Sequence, residues 1–105
     1  MSSSRLVELE KFLEREPDDP FTQYAIALEY ASEGDLATAV TKLETLISMK
    51  PTYVAAYQQL GTWLIAQDQI NQAHDVLKRG IEVATSNGDA HARNEMQMMI
   101  DDLDV

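Results

Sequence analysis

The chain has 105 residues, of which 18 are acidic and 8 basic, giving a net charge of −10. Such a balance argues against nucleic acid and anionic membranes as partners, because phosphate-bearing surfaces need a positive patch; a basic or apolar protein suits it better. There is no cysteine, hence no disulfide or thiolate metal site, and with no signal peptide or membrane-length apolar run visible in MSSSRLVELE or beyond, a cytoplasmic address is expected.

Ser2 to Ser4 offer hydroxyls to cap a helix over 5–16, where Leu6, Leu9 and Leu13, with Val7 and Phe12, recur at three- and four-residue spacing. Pro17-Asp18-Asp19-Pro20 ends it and starts the next: Pro17 cannot continue a helix, Asp19 is a good N-cap and Pro20 has the backbone angle of a first helical residue. A helix over 20–33 follows, with Ile26, Ala27 and Tyr30 turned inward. Gly34 then takes the left-handed conformation and Asp35 caps the next helix. Over 36–49 the apolar positions Leu36, Ala39, Val40, Leu43, Leu46 and Ile47 form one stripe.

Pro51-Thr52 opens a helix over 53–66 carrying Tyr57, Leu60, Gly61 and Leu64. Glycine inside a helix costs about 1 kcal/mol against alanine, so Gly61 implies that a facing helix crosses too close for a side chain. Trp63, beside it, reads as interhelical packing. The stripe returns over 70–85 as Ile70, Ala73, Val76, Leu77 and Ile81, and Ser86-Asn87-Gly88-Asp89 is a turn in which Gly88 or Asn87 takes positive φ and Asp89 caps. The last helix, 89–103, has its own stripe of Met96, Met99, Ile100 and Leu103.

Sliding the segment from Pro20 to Tyr53 by 34 residues lands Ile26 on Leu60, Ala27 on Gly61, Leu36 on Ile70, Ala39 on Ala73, Leu43 on Leu77 and Ile47 on Ile81. Sliding it backwards lands Leu43 on Leu9, Ile47 on Leu13 and Pro51 on Pro17. A period of this length is that of stacked helix-turn-helix units. These positions, with the turns Gly34-Asp35 and Asp68-Gln69, resemble the tetratricopeptide repeat family over residues from about 5 to 85. The departures are Gln23 where a large aromatic is usual (Tyr57 keeps one), Leu46 and Gly80 where alanine is usual, and Thr85 where proline closes a unit.

The resemblance implies an all-α solenoid of about five antiparallel helices in a single domain. Its parts are a leading half unit (5–19), two full units (20–53 and 54–87) and a divergent closing helix (89–103) that covers the open end. A core made only between neighbouring helices leaves no room for a deep pocket. The family's binding surface is the concave face lined by first helices, which here falls on Phe21, Tyr24, Leu28 and Ala31, then on Ala55, Gln58, Thr62 and Ile65. On the last helix it falls on Ala92, Met96 and Met99. A clamp of Lys, Arg and Asn used by relatives that bind acidic peptides is not matched, since its places hold Tyr24, Leu28, Gln59 and Asp89, with only Arg93 basic.

No catalytic, cofactor or metal constellation is visible. His74 and His91 lie on different helices with no adjacent nucleophile, and each reads as a packing or surface residue. The glycines are isolated, and the acids Glu14, Glu16, Asp18 and Asp19, like Asp101, Asp102 and Asp104, read as solvated charge. Met96, Met98 and Met99 admit both a core role and an adaptable binding role. The expected function is therefore non-catalytic: an adaptor that holds an apolar or basic peptide or helix of another protein. The alternative is a homodimer through the Leu6/Phe12 or Met96/Leu103 end.

Overall fold

The computed structural model describes residues 4–103; Ser2, Ser3 and Asp104 lie outside them. The described residues form six α-helices and no strand: α1 (Ser4–Arg15), α2 (Pro20–Ser32), α3 (Leu36–Met49), α4 (Val54–Ala66), α5 (Ile70–Ser86) and α6 (Ala90–Leu103). Each lies within one residue of the span read from the sequence. Their number is six and not about five, because the leading half unit, both helices of each full unit and the closing helix all form separately. They group into two compact units, one ending at Lys50 and the other beginning at Pro51.

In the first unit α2 packs against both α1 and α3. The Asp19 carboxylate accepts from the Thr22 N–H at 3.0 Å and from the Thr22 hydroxyl, so α2 starts with its cap in place and Pro20 in its first turn. Gly34 turns the chain at φ +86°, and Asp35 accepts from the Thr38 N–H at 3.1 Å to start α3. Ala25, Ile26 and Ala27 of α2 and Ala39, Val40, Leu43, Leu46 and Ile47 of α3 are buried. From α1 only Leu6 is buried; Leu9 and Leu13 are half-buried, and Val7 and Phe12 are exposed. Val7 and Phe12 flank the Leu6/Leu9/Leu13 seam on opposite sides, and a helix packed along one face leaves both flanks open.

In the second unit α5 packs against α4 and α6. A Cβ built on Gly61 would stand 2.6 Å from Leu77 Cδ2 and 2.8 Å from its Cγ, so α4 and α5 cross where only hydrogen fits. Gly80 makes the reciprocal approach: its Cβ would lie 2.7 Å from Tyr57 Cβ and 2.6 Å from Met96 Sδ. Tyr57 is pinned from both ends. Its hydroxyl donates to the Pro51 carbonyl at 2.7 Å, and the Arg79 guanidinium lies 5.5 Å from its ring centroid. Trp63 is buried, as interhelical packing requires.

The turn between α4 and α5 is a weaker copy of the first. Asp68 holds φ +61° where Gly34 sits one period earlier, and Gln69, in the place of Asp35, makes no side-chain cap bond. In the last turn Gly88, not Asn87, takes positive φ, at +73°. Asp89 accepts from the Ala92 N–H at 3.1 Å, while Asn87 donates its side-chain amide to the Thr52 carbonyl at 3.1 Å.

Helix α5 has 17 residues against 14 in α3. Thr85 stands where Pro51 follows α3, and without a proline ring the helix runs on to Ser86, the Thr85 hydroxyl donating to the Ile81 carbonyl at 2.8 Å. The longer helix delays α6. Its buried residues Ala92, Met96 and Ile100 repeat Ala56, Leu60 and Leu64 at an interval of 36 residues, not 34. Helix α6 thus has the burial pattern of a first helix of a third unit, displaced by two positions.

Candidate interaction surface

On α2 the spacing of three and four places Phe21, Tyr24, Leu28 and Ala31 on one face, away from buried Thr22, Ala25 and Ile26. Phe21 is 66% exposed and Leu28 38%, while Tyr24 and Ala31 are half-buried. The helix PFTQYAIALEYAS contains one charged residue, Glu29, which lies off this face and pairs with Arg5 at 3.2 Å. The result is an uncharged strip with a phenylalanine at one end.

On α4 the corresponding residues are Ala55, Gln58, Thr62 and Ile65, in a helix with no charged side chain. Ala55 and Thr62 are exposed, and Gln58 and Ile65 are half-buried. The Thr62 hydroxyl donates to the Gln58 carbonyl at 3.1 Å, and with Gln58 and Thr62 in the places of Tyr24 and Leu28 the strip is more polar than that of α2.

On α6 the assignment needs correction. Met96 is 0% exposed and Ala92 is also buried, so neither belongs to a surface; Met96 fills the space that Gly80 leaves open. Met99 is half-buried. The cause is the two-residue displacement. Counting by 36 from Ala55, Gln58, Thr62 and Ile65 arrives at His91, Asn94, Met98 and Asp101, all exposed, with Met98 at 66%. His91 Nε2 lies 3.1 Å from Glu95 Oε1 one turn on. Thr85, the missing proline, and the Met96/Ile100 spacing of α6 itself are the features of the sequence from which the shift could have been read.

The ends also differ from expectation. Leu6 and Met96 are buried, so what those ends present is Phe12, with the Arg15 guanidinium 5.6 Å from its ring, and half-buried Leu103. An open cleft of about 480 Å³ lies in the first unit, between α1 and α3 and floored by Leu13, Ile26 and Leu46, on the side of α2 away from Phe21 and Leu28. Glu10, Lys42 and the hydroxyls of Thr38, Thr41 and Thr45 wall it. His74 on α5 is half-buried and distant in sequence from His91. Among the described residues no three His, Asp or Glu side chains are grouped to hold a metal ion, and no helix is long and apolar enough to cross a membrane.

Helix pairs at a 34-residue period, small residues at the crossings and first helices that carry a single charged residue between α2 and α4 define a class of helical repeat protein. The tetratricopeptide repeat model matches residues 30–93, and the chain belongs to the tetratricopeptide repeat family. The chain is similar to a tetratricopeptide repeat domain protein from Salinibacter ruber. The solution structure of that protein superposes with a TM-score of 0.80 at 33% identity, covering 83% of this chain and 88% of the other. A crystal structure from the same organism gives 0.77 at 32% identity, covering 82% and 96%. The solution structure of a Bordetella parapertussis protein gives 0.81 at 25% identity, covering 98% and 89%. Among curated proteins none matches the chain. The fold suggests a protein-interaction module of a typically non-catalytic family.

Proposed function

We propose that the chain is a non-catalytic adaptor that receives apolar side chains of a partner protein's peptide or helix on the uncharged strips of its first helices. The observation that carries this is the α2 face. A phenylalanine 66% exposed and a leucine 38% exposed share a strip with Tyr24 and Ala31 and no charge, on a chain whose net charge is −10. Scattered apolar residues on a surface are ordinary, but an uncharged stripe confined to one helix face is what a docked peptide or helix uses. Ala55, Gln58, Thr62 and Ile65 supply a second strip in the other unit, where the Gln58 amide can bond a peptide backbone.

The test is affinity capture from the source lysate with the wild-type chain and with a variant carrying Tyr24→Arg and Gln58→Arg. Both side chains are half-buried at the surface, so the arginines add charge without displacing core. The variant is expected to lose the prey that the wild type retains. Retention of the same prey by both would remove these strips from consideration.

A further inference from the structure

Helices α4 and α6 touch within the second unit, and they present unlike faces. On α4 the strip Ala55, Gln58, Thr62 and Ile65 is uncharged. On α6 the displaced register brings Met98 to the surface at 66% exposure, with Asn94 and Asp101 on its face and Glu95 and Asp102 on its flank. The one basic residue of α6 besides His91 is Arg93, whose guanidinium donates to Asn94 Oδ1 at 3.2 Å through Nη2 and so stands against this face; Asp101 Oδ1 accepts from Gln97 Nε2 at 3.0 Å, and Glu95 Oε1 lies 3.1 Å from His91 Nε2. An adaptable, exposed apolar side chain is therefore set among three carboxylates and one guanidinium along one helix, next to a helix that contributes no charge.

We propose that the α4/α6 face of the second unit selects a peptide that pairs an apolar side chain with a lysine or arginine a few residues away. The apolar group packs on Met98 and Ile65, and the cation meets Asp101 or Glu95. This rests on the strips being the docking surface and goes further by fixing the partner's charge. Charge complementarity commits the occupant: the carboxylates of α6 repel an acidic peptide and attract a basic one, and the long-range field of a chain at −10 steers the same choice. Met98, absent from the strip that the family resemblance implies, becomes the residue that sets affinity, and Asp101 with Glu95 sets specificity.

A randomised twelve-residue peptide library displayed on phage, selected against the immobilised full chain, tests this. Enriched peptides are expected to hold an apolar residue near Lys or Arg and to bind at least about tenfold more weakly to a Met98→Glu variant. The Glu95→Lys/Asp101→Lys double variant is expected to lose the basic preference. A Glu14→Lys/Glu16→Lys double variant, with the same change in net charge near the end of α1, is expected to keep it. Peptides without basic residues that still lose binding to Met98→Glu would overturn the charge selection and leave the docking surface standing. Equal loss of basic preference in both charge-reversal variants would reduce the effect to net charge. Enriched peptides indifferent to Met98→Glu and to Tyr24→Arg/Gln58→Arg, or no enrichment over bare support, would overturn the surface as well.

Discussion

Two glycines show how a helix crossing is written into single residues. At Gly61 a methyl group would meet the Leu77 side chain at 2.6 Å, and Leu77 is fully buried, with nowhere to swing. Gly61→Leu is expected to destabilise the chain by about 1–3 kcal/mol through overpacking, although it gains helix propensity worth about 1 kcal/mol; an unchanged or raised melting temperature would remove that explanation. Gly80 is the stricter case. Its contact at 2.7 Å is with Tyr57 Cβ, an atom fixed to the α4 backbone, so relief requires moving a helix and not a rotamer. Gly80→Ala, the change toward the family's usual residue, should therefore lower the urea midpoint, by about 1–3 kcal/mol in stability. Only a midpoint equal to or above that of the parent would show that Met96 and Tyr57 can adjust.

At the scale of elements, two departures from the repeat have opposite consequences. The α4–α5 turn holds Asp68 at φ +61° and leaves Gln69 without a cap bond, where the α2–α3 turn has glycine and a capping aspartate. Asp68→Gly with Gln69→Asp should stabilise the chain by about 1 kcal/mol for each change, seen as a higher thermal midpoint by circular dichroism; no rise would mean that the turn is not the weak point. Thr85→Pro also restores a repeat residue, yet it falls inside α5, where it deletes a backbone donor and clashes one turn back, and it should cost about 3 kcal/mol. This contrast marks what was legible in the sequence. The helices follow from apolar spacing and their caps at Asp19, Asp35 and Asp89 from local sequence, because both act within a few residues; the strips on α2 and α4 rest instead on the family resemblance. The face of α6 departs from that resemblance, since its register depends on how far α5 runs. Thr85 permits the extension, and the stripe of Met96 and Ile100 marks the inward side of α6, which the packing of Met96 against Gly80 bears out; mapping the family's surface positions by 34 residues overrode that stripe.

At the scale of the whole molecule the charge of −10 acts on folding and on binding in opposite directions. Like charges held close in the folded chain repel, and salt screens them with a Debye length of about 10 Å at 0.1 M ionic strength. The Arg5–Glu29 ion pair gives salt little to weaken: its arginine side chain is 66% exposed, and such pairs contribute at most about 1 kcal/mol. Raising sodium chloride from about 10 to 150 mM should therefore raise the thermal midpoint of the free chain, because more repulsion than attraction is removed. Association with a basic peptide should weaken over the same range, since there the screened force is attractive. The apolar part of that contact, on Ile65 and Met98, is insensitive to salt at this level, so binding should fall to a plateau and not to zero. A peptide whose affinity vanishes with salt would be held by charge alone, and one whose affinity ignores salt would be held by the apolar strips alone. A midpoint that fell with salt would mean that paired charges, not self-repulsion, dominate the electrostatics of the fold.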